Sequence, residues 1–163
     1  MKILIFTEGT IIMHKSAVDH TREEIVKQVE EKEEPVRDYK SYVPVNNAVK
    51  KLQNWKEDGA EILYLTSRKK PEEIKQIRTV LKKYDFPDGK LLSRRKDEEY
   101  KEVAERVIPD ILIEDDCESI GGINEMTITY VEHEIKKKIK SIPIKEFGGI
   151  DFLPDKISAL IGH

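Results

Sequence analysis

The chain alternates short, continuous apolar runs with longer segments of helical period. The first run, Ile3 to Phe6, is apolar at every position rather than at alternate positions. A strand buried on both faces has this pattern, so the run is predicted to lie at the centre of a sheet. Similar runs at Ile62 to Leu65 and Ile111 to Ile113 predict its parallel neighbours. We therefore expect an α/β fold, a three-layer sandwich with a mostly parallel sheet and helices on both faces.

Further elements are predicted around these three strands. Met126 to Val131 is interpreted as a fourth strand, and Ser141 to Ile144 as an edge strand. The edge position follows from Pro143, which cannot donate a hydrogen bond to a central ladder. Apolar residues at helical spacing predict helices between the strands, at residues 45–55, 74–84 and 100–107.

A highly charged segment at about residues 14–42 follows the first strand. Thr21, with Glu24 three residues later, has the pattern of a capping box. We predict a small helical insertion into a single domain that spans the 163-residue chain. Its two histidines, His14 and His20, are expected at the surface. An insertion of this length would form only a modest lid, which leaves room for a partner subunit to supply specificity in a homo-oligomer.

The composition narrows the classes of function. The chain has 29 Lys and Arg residues against 32 Asp and Glu residues, for a net charge of −3. This balance provides no global positive field, so neither nucleic acid nor a membrane surface is expected as a partner. No apolar run approaches the roughly 18 residues that span a bilayer. Cys117 is the single cysteine and cannot form an internal disulfide, which favours a reducing, cytoplasmic setting.

Polar residues follow the predicted strands at the edge where ligands of parallel sheets bind. Thr7-Glu8-Gly9-Thr10 follows the first strand, Thr66-Ser67-Arg68 the second, and Glu114-Asp115-Asp116 the third. Lys101 lies on the helix before the third strand. Taken singly, these features are also typical of a tight turn, a helix cap, a solvated lysine and an acidic helix start. Their order along an alternating sheet favours one shared site.

This order of features resembles the haloacid dehalogenase (HAD) superfamily of phosphohydrolases, whose first motif is Asp-x-Asp-Gly-Thr after a hydrophobic strand. The resemblance extends from about Lys2 to Gly122. It implies a Rossmann-like sheet and a Mg²⁺-dependent phosphohydrolase that acts on a small phosphorylated metabolite or nucleotide. The alternative is a catalytically inactive member of the same fold that binds a phosphorylated ligand or a protein partner.

The resemblance also implies roles for single residues. Thr66 would bind phosphate, with Ser67 beside it. Lys101 would neutralise the phosphate, with Lys96 as the alternative because the loop length before that helix is not fixed by the sequence. Asp115 and Asp116 would bind Mg²⁺. Supporting roles would fall to Thr7, Gly9, Thr10, Arg68 and Glu114.

The first motif departs from the superfamily pattern. Alignment without a gap places Glu8 at the general acid/base position and Phe6 at the nucleophile position. Phenylalanine can neither attack phosphorus nor bind a metal, so we expect weak Mg²⁺ binding. A one-residue deletion would instead place Thr7 at the nucleophile position, but such a slip reverses the face on which each side chain lies. The gap-free alignment is therefore preferred, with Glu8 as the catalytic candidate.

Overall fold

The computed structural model of the protein describes residues 1–162. Its strands in this range are β1 (Lys2–Phe6), β2 (Ile12–Met13), β3 (Val43–Pro44), β4 (Glu61–Leu65), β5 (Lys90–Leu92), β6 (Ile111–Asp115) and β7 (Lys140–Ile144). Its α-helices are α1 (Arg22–Glu30), α2 (Glu34–Arg37), α3 (Ala48–Glu57), α4 (Pro71–Lys83), α5 (Tyr100–Val107), α6 (Thr127–Tyr130), α7 (His133–Lys136) and α8 (Ile157–Ile161). None of these helices has the length and apolar content needed to cross a membrane.

Five of the strands form one parallel sheet in the order β5-β4-β1-β6-β7. Ile3 of β1 is in register with Ile62 of β4 on one side and with Ile111 of β6 on the other. The three predicted central strands are therefore neighbours and parallel, as expected. β7 lies at the edge, where Pro143 can be accommodated. The remaining two strands, β2 and β3, form a separate antiparallel pair.

Alternate side chains of the central strand enter two different cores. Ile3 and Ile5 belong to a buried cluster that includes Trp55 and other side chains from α3, α4 and α8. Leu4 belongs to a second cluster, on the opposite face, that includes Val103 and other side chains from α5 and α6. Because both faces of β1 are covered, every position of the strand interior is apolar. The molecule is a three-layer α/β sandwich, as predicted.

The prediction of a fourth strand at Met126 to Val131 is wrong, because this segment contains α6. The buried carboxylate of Glu114, at the end of β6, accepts hydrogen bonds from the backbone amides of Thr127 (2.7 Å) and Ile128 (3.1 Å). These amides belong to the first helical turn, which otherwise has no partners for them. A partner distant in the sequence thus selects a helical turn over an extended strand. The short strand β5 was not among the predicted strands.

The charged insertion is helical, as predicted. The Thr21 hydroxyl accepts from the Glu24 amide (3.2 Å), and the Glu24 carboxylate accepts from the Thr21 amide (3.3 Å), which completes the capping box at the start of α1. His20 is exposed, as expected. His14 is not at the surface: it is 2% exposed, and its Nε2 lies 2.8 Å from Oε1 of Gln28. The amide of Gln28 supplies the polar partner that a buried imidazole needs.

Candidate anion and cation sites at the strand ends

The turn after β1 directs two side chains into a cleft at the strand ends. Phe6 and Glu8 line the same cavity, which has a volume of about 450 Å³. Thr7, between them, is fully buried. Positions 6 and 8 therefore share the face that opens on the cleft. The Phe6 ring meets the ring of Tyr100 edge-on, with 5.1 Å between the ring centroids, and so closes one wall of the cavity with apolar surface.

The Glu8 carboxylate is held by donors from two strand ends. Its Oε1 accepts from the hydroxyls of Thr7 and Thr66, each at 2.6 Å. Its Oε2 accepts from the Ser67 amide at 2.8 Å and also from the Ser67 hydroxyl. We call this set of donors, from Thr7, Thr66 and Ser67, the anion cradle. Both oxygens of one carboxylate are thus satisfied by charge-assisted hydrogen bonds.

The turn after β4 shapes the cradle. The Thr66 hydroxyl accepts from the backbone amide of Arg68 (3.1 Å), so its proton is directed toward Glu8. Arg68 donates from Nη2 to the Ser67 hydroxyl (3.2 Å), and its guanidinium lies 4.6 Å from the centroid of the Tyr39 ring, which belongs to the insertion. Thr66 and Ser67 do not cap α4, whose N-cap residue Lys70 has no side-chain cap. Their hydroxyls instead donate hydrogen bonds to the Glu8 carboxylate.

The acidic side of the cleft is formed by the ends of β6 and β7. Carboxylate oxygens of Asp115, Asp116 and Glu146 all lie within 4.8 Å of one another, and we call these residues the acidic cluster. Glu146 is 6% exposed and accepts from the amide (2.5 Å) and the hydroxyl (2.6 Å) of Ser119. The nearest basic partner in an ion pair is Arg22 of α1, at 3.8 Å from Glu146. Within residues 1–162, one guanidinium therefore faces three neighbouring carboxylates.

Asp115, at the end of β6, contributes one carboxylate to this cluster. Its Oδ1 accepts one backbone hydrogen bond, from Cys117 (2.8 Å). Burial raises the pKa of Asp115 above its ordinary value, and the charges of Glu146 and Asp116 act in the same direction. The hydrogen bond from Cys117 opposes this shift only in part. A cation at this position would stabilise the charged form.

Glu114 is placed differently from the two aspartates that follow it. Its carboxylate is 4% exposed and is engaged by the first amides of α6. Burial raises its pKa, although the amide hydrogen bonds oppose the shift. The Glu114 carboxylate therefore holds the start of α6, and Glu146 is the glutamate that lies beside Asp115 and Asp116.

The two candidate lysines do not lie in the cavity shared by Phe6 and Glu8. Lys101, near the start of α5, lines a neighbouring cavity of about 290 Å³ together with Arg94. The two cavities share Tyr100, Glu125 and Thr127 as lining residues. Lys96 is exposed in the turn before α5. Two guanidiniums instead contact the cradle residue Ser67: Arg68 donates to its hydroxyl and Arg94 donates to its carbonyl, each at 3.2 Å.

The glycine and threonine of the first motif hold the turn in place. Gly9 has φ +81°, and a Cβ atom built on it would lie 3.5 Å from Oδ2 of Asp115. A glycine is needed here because other residues rarely adopt this conformation. Thr10 is fully buried, and its hydroxyl has no hydrogen-bond partner within residues 1–162. It contributes to the packing of the turn and not to the cleft.

Two residues of the site were not predicted from the sequence. Glu146 follows the edge strand β7 by two positions, so the rule that located the other polar groups also covers it. Arg22 lies on α1, and its contact with Glu146 depends on how the insertion folds back over the sheet. Glu146 could therefore have been found from the sequence, whereas Arg22 could not.

Comparison with protein-family models and with curated proteins gives no match for this chain. Glu8 and Asp115 line the same two cavities, of about 210 Å³ and 450 Å³. One side of the cleft offers hydrogen-bond donors to an anion, and the other side offers carboxylate oxygens to a cation. A phosphoryl group with a divalent cation combines these two requirements.

Proposed function

We propose that this protein is a HAD-like protein that binds a small phosphorylated molecule, together with Mg²⁺, at the strand ends without covalent phosphoryl transfer. One observation carries the proposal. The hydroxyls of Thr66 and Ser67 and the Ser67 amide converge on a single anionic group, the Glu8 carboxylate, at the end of the central strand. Such a set of donors suits the non-bridging oxygens of a phosphoryl group.

The acidic cluster fits Mg²⁺ by the chemistry of its donors. Asp115, Asp116 and Glu146 supply hard oxygen ligands, which this cation prefers. The raised pKa of Asp115 indicates that its negative charge lacks compensation. Bound Mg²⁺ would supply positive charge between these carboxylates and a phosphoryl group. Phe6 supplies no ligand, so we expect the affinity for Mg²⁺ to be modest.

Phe6 argues against a covalent intermediate. In the resemblance described above, the side chain at this position attacks phosphorus. Phe6 instead lines the cleft and contacts Tyr100 with its ring. Thr7 is fully buried and donates its hydroxyl proton to Glu8, so it does not face the cleft as a substitute nucleophile. The chain thus keeps groups for holding a phosphoryl group and lacks the group that would attack it.

Hydrolysis by water is the second candidate function. Glu8 favours it, because this carboxylate lines the same cavities as Asp115 and is a base within the cleft. In such a reaction, Glu8 would accept a proton from the attacking water, and Thr66 and Ser67 would hold the phosphoryl oxygens. The leaving oxygen would take a proton from solvent or from Glu8.

A thermal-shift and hydrolysis screen over phosphorylated compounds, with and without Mg²⁺, tests both candidates. We expect stabilisation by at least one compound that requires Mg²⁺ and is lost in Asp115→Asn. Glu57→Gln, which removes an exposed carboxylate at the end of α3, is the matched control and should behave as the parent. Release of phosphate that depends on Glu8 would support hydrolysis. A complete absence of stabilisation across the screen would contradict both.

A further inference from the structure

The anion cradle is already filled by the protein's own carboxylate. Glu8 takes up the hydroxyl protons of Thr66 and Ser67 and the backbone amide of Ser67. These are the same donors that the proposed function assigns to a phosphoryl group. Each hydroxyl has a single proton to donate, so neither can serve Glu8 and a second anion at full strength.

Electrostatic repulsion also opposes the binding of Glu8 and a phosphoryl group in the cradle at the same time. A phosphoryl group in the cradle would bring a second negative charge into contact with the Glu8 carboxylate. Two anions at such a distance repel each other strongly in a partly buried site. Arg68, which reaches the Ser67 hydroxyl at 3.2 Å, is shared with the ring of Tyr39. Arg94 donates to the Ser67 carbonyl at 3.2 Å and is shared with the ring of Tyr100.

We propose that Glu8 is an internal anion that closes the cradle, and that a phosphoryl group binds to Thr66 and Ser67 only after Glu8 has left. This inference rests on the proposed function and adds the regulation of the same site. In this closed state, the two oxygens of the Glu8 carboxylate bind the donors that two phosphoryl oxygens would otherwise bind. The donors of the cradle are therefore satisfied without an external ligand. Binding of a phosphorylated compound is therefore a displacement rather than simple occupation.

Space for the displaced side chain exists on both sides of its present position. Glu8 lines the cavity of about 450 Å³ that extends toward Phe6 and the cavity of about 210 Å³ that extends toward the insertion. Asp115 lines both cavities as well. A rotation about the side-chain bonds of Glu8 thus moves the carboxylate out of the cradle without a change in the backbone.

Titration with inorganic phosphate, followed through the NMR signal of the Ser67 amide, tests the displacement. In the parent protein we expect weak binding. In Glu8→Ala the cradle donors are free, and we expect roughly tenfold tighter binding or more, which corresponds to about 1.4 kcal/mol per factor of ten. Glu8→Gln keeps the size of the side chain and should give an intermediate value. The double variant Glu8→Ala with Thr66→Val should lose the gain.

Equal affinity of the parent and of both Glu8 variants would overturn the inference, because Glu8 would then not compete with phosphate. Tighter binding that survives Thr66→Val would overturn it too, since the phosphate would lie elsewhere. The proposed function fails separately. If Glu8→Ala binds phosphate at Ser67 but no phosphorylated compound stabilises the parent, only the function is contradicted. If the parent binds a compound through Asp115 but Glu8→Ala gains nothing, only the displacement is contradicted.

Discussion

The anion cradle and the acidic cluster balance their charges in different ways. In the cradle, one carboxylate, Glu8, is matched by donors from Thr7, Thr66 and Ser67. In the acidic cluster, three carboxylates lie within 4.8 Å of one another. Arg22 approaches them at 3.8 Å. The Glu8 carboxylate of the cradle is thus satisfied by donors of the chain, whereas the acidic cluster keeps an excess of negative charge within the described residues.

The largest expected effect concerns Glu114, which precedes the acidic cluster in sequence but does not share its chemistry. Glu114→Ala would leave the amides of Thr127 and Ile128 without their buried partner. We expect a loss of about 2–4 kcal/mol in the free energy of unfolding, measured by urea denaturation. Addition of Mg²⁺ should not recover it.

Glu132→Ala is the matched control for this prediction. Glu132 also accepts from two amides of a short helix, those of Glu134 and Ile135, but it is exposed. Water can replace its carboxylate, so we expect a loss of about 0.5–1 kcal/mol. Equal losses for the two variants would contradict the structural role of the buried carboxylate.

A smaller effect is expected when one donor of the cradle is removed. Thr66→Val keeps the shape of the side chain but takes one donor from Glu8 and leaves the Arg68 amide without its acceptor. We expect a loss of about 1–2 kcal/mol in the free energy of unfolding. In a Glu8→Ala background the loss should shrink, because the carboxylate that the hydroxyl serves is gone.

Thr79→Val provides the comparison for the same chemical change at another position. The Thr79 hydroxyl donates to the Lys75 carbonyl on the exposed face of α4. Its removal should change the stability by less than about 0.5 kcal/mol. A Thr66→Val variant that resembles Thr79→Val in both backgrounds would show that the cradle does not depend on this hydroxyl.

The smallest effect, and the one with the clearest pH dependence, concerns Asp115. Burial raises the pKa of Asp115 in the folded protein above its value in the unfolded chain. Its contribution to stability is therefore fully present below the unfolded pKa and is lost as the pH rises through the folded pKa. Asp115→Asn removes this loss. We therefore expect the free energy of unfolding of the variant to exceed that of the parent by about 1 kcal/mol at pH 7, and its Tm to be higher by about 2–4 °C.

The measurement for Asp115 is thermal unfolding at pH 4 and pH 7. The advantage of Asp115→Asn should be smaller at pH 4, because a larger share of the parent carboxyl is protonated there than at pH 7. At pH 7, Mg²⁺ should raise the Tm of the parent and not that of the variant. An advantage that is larger at pH 4 would contradict the assigned cause of the pKa shift.

The central part of the fold could be predicted because its strands are buried on both faces. Ile3 to Phe6 and its two neighbours carry that environment in their composition, and Pro143 identifies the edge. The error at Met126 to Val131 has a different origin. Its helical turn depends on Glu114, whose position relative to that segment is known only once the sheet has formed. A local pattern cannot report a partner distant in the sequence.

Some features of the site could likewise be predicted from the sequence, and others could not. Glu8, Thr66 and Asp115 could be predicted to approach one another because they follow adjacent parallel strands. The direct contact between Glu8 and Thr66 could not, since it depends on the rotamers of both side chains. Lys101 shows the limit of position alone. It lines a cavity that adjoins the cavity of Glu8 through shared side chains, and this arrangement is not visible in the order of motifs.

Gly9 sets the spacing between the two halves of the site through the backbone. A Cβ atom added to Gly9 would lie 3.5 Å from Oδ2 of Asp115. The Gly9 carbonyl accepts from the Phe147 amide at 3.1 Å. Main-chain hydrogen bonds, from the Phe147 amide to the Gly9 carbonyl and from the Asp116 amide to the Ile144 carbonyl (2.7 Å), therefore join the ends of β1, β6 and β7 independently of side-chain motion. Under the proposed function, a ligand that spans the cradle and the acidic cluster would meet a gap whose width the backbone sets. Molecular length then becomes a criterion of selection, independent of charge.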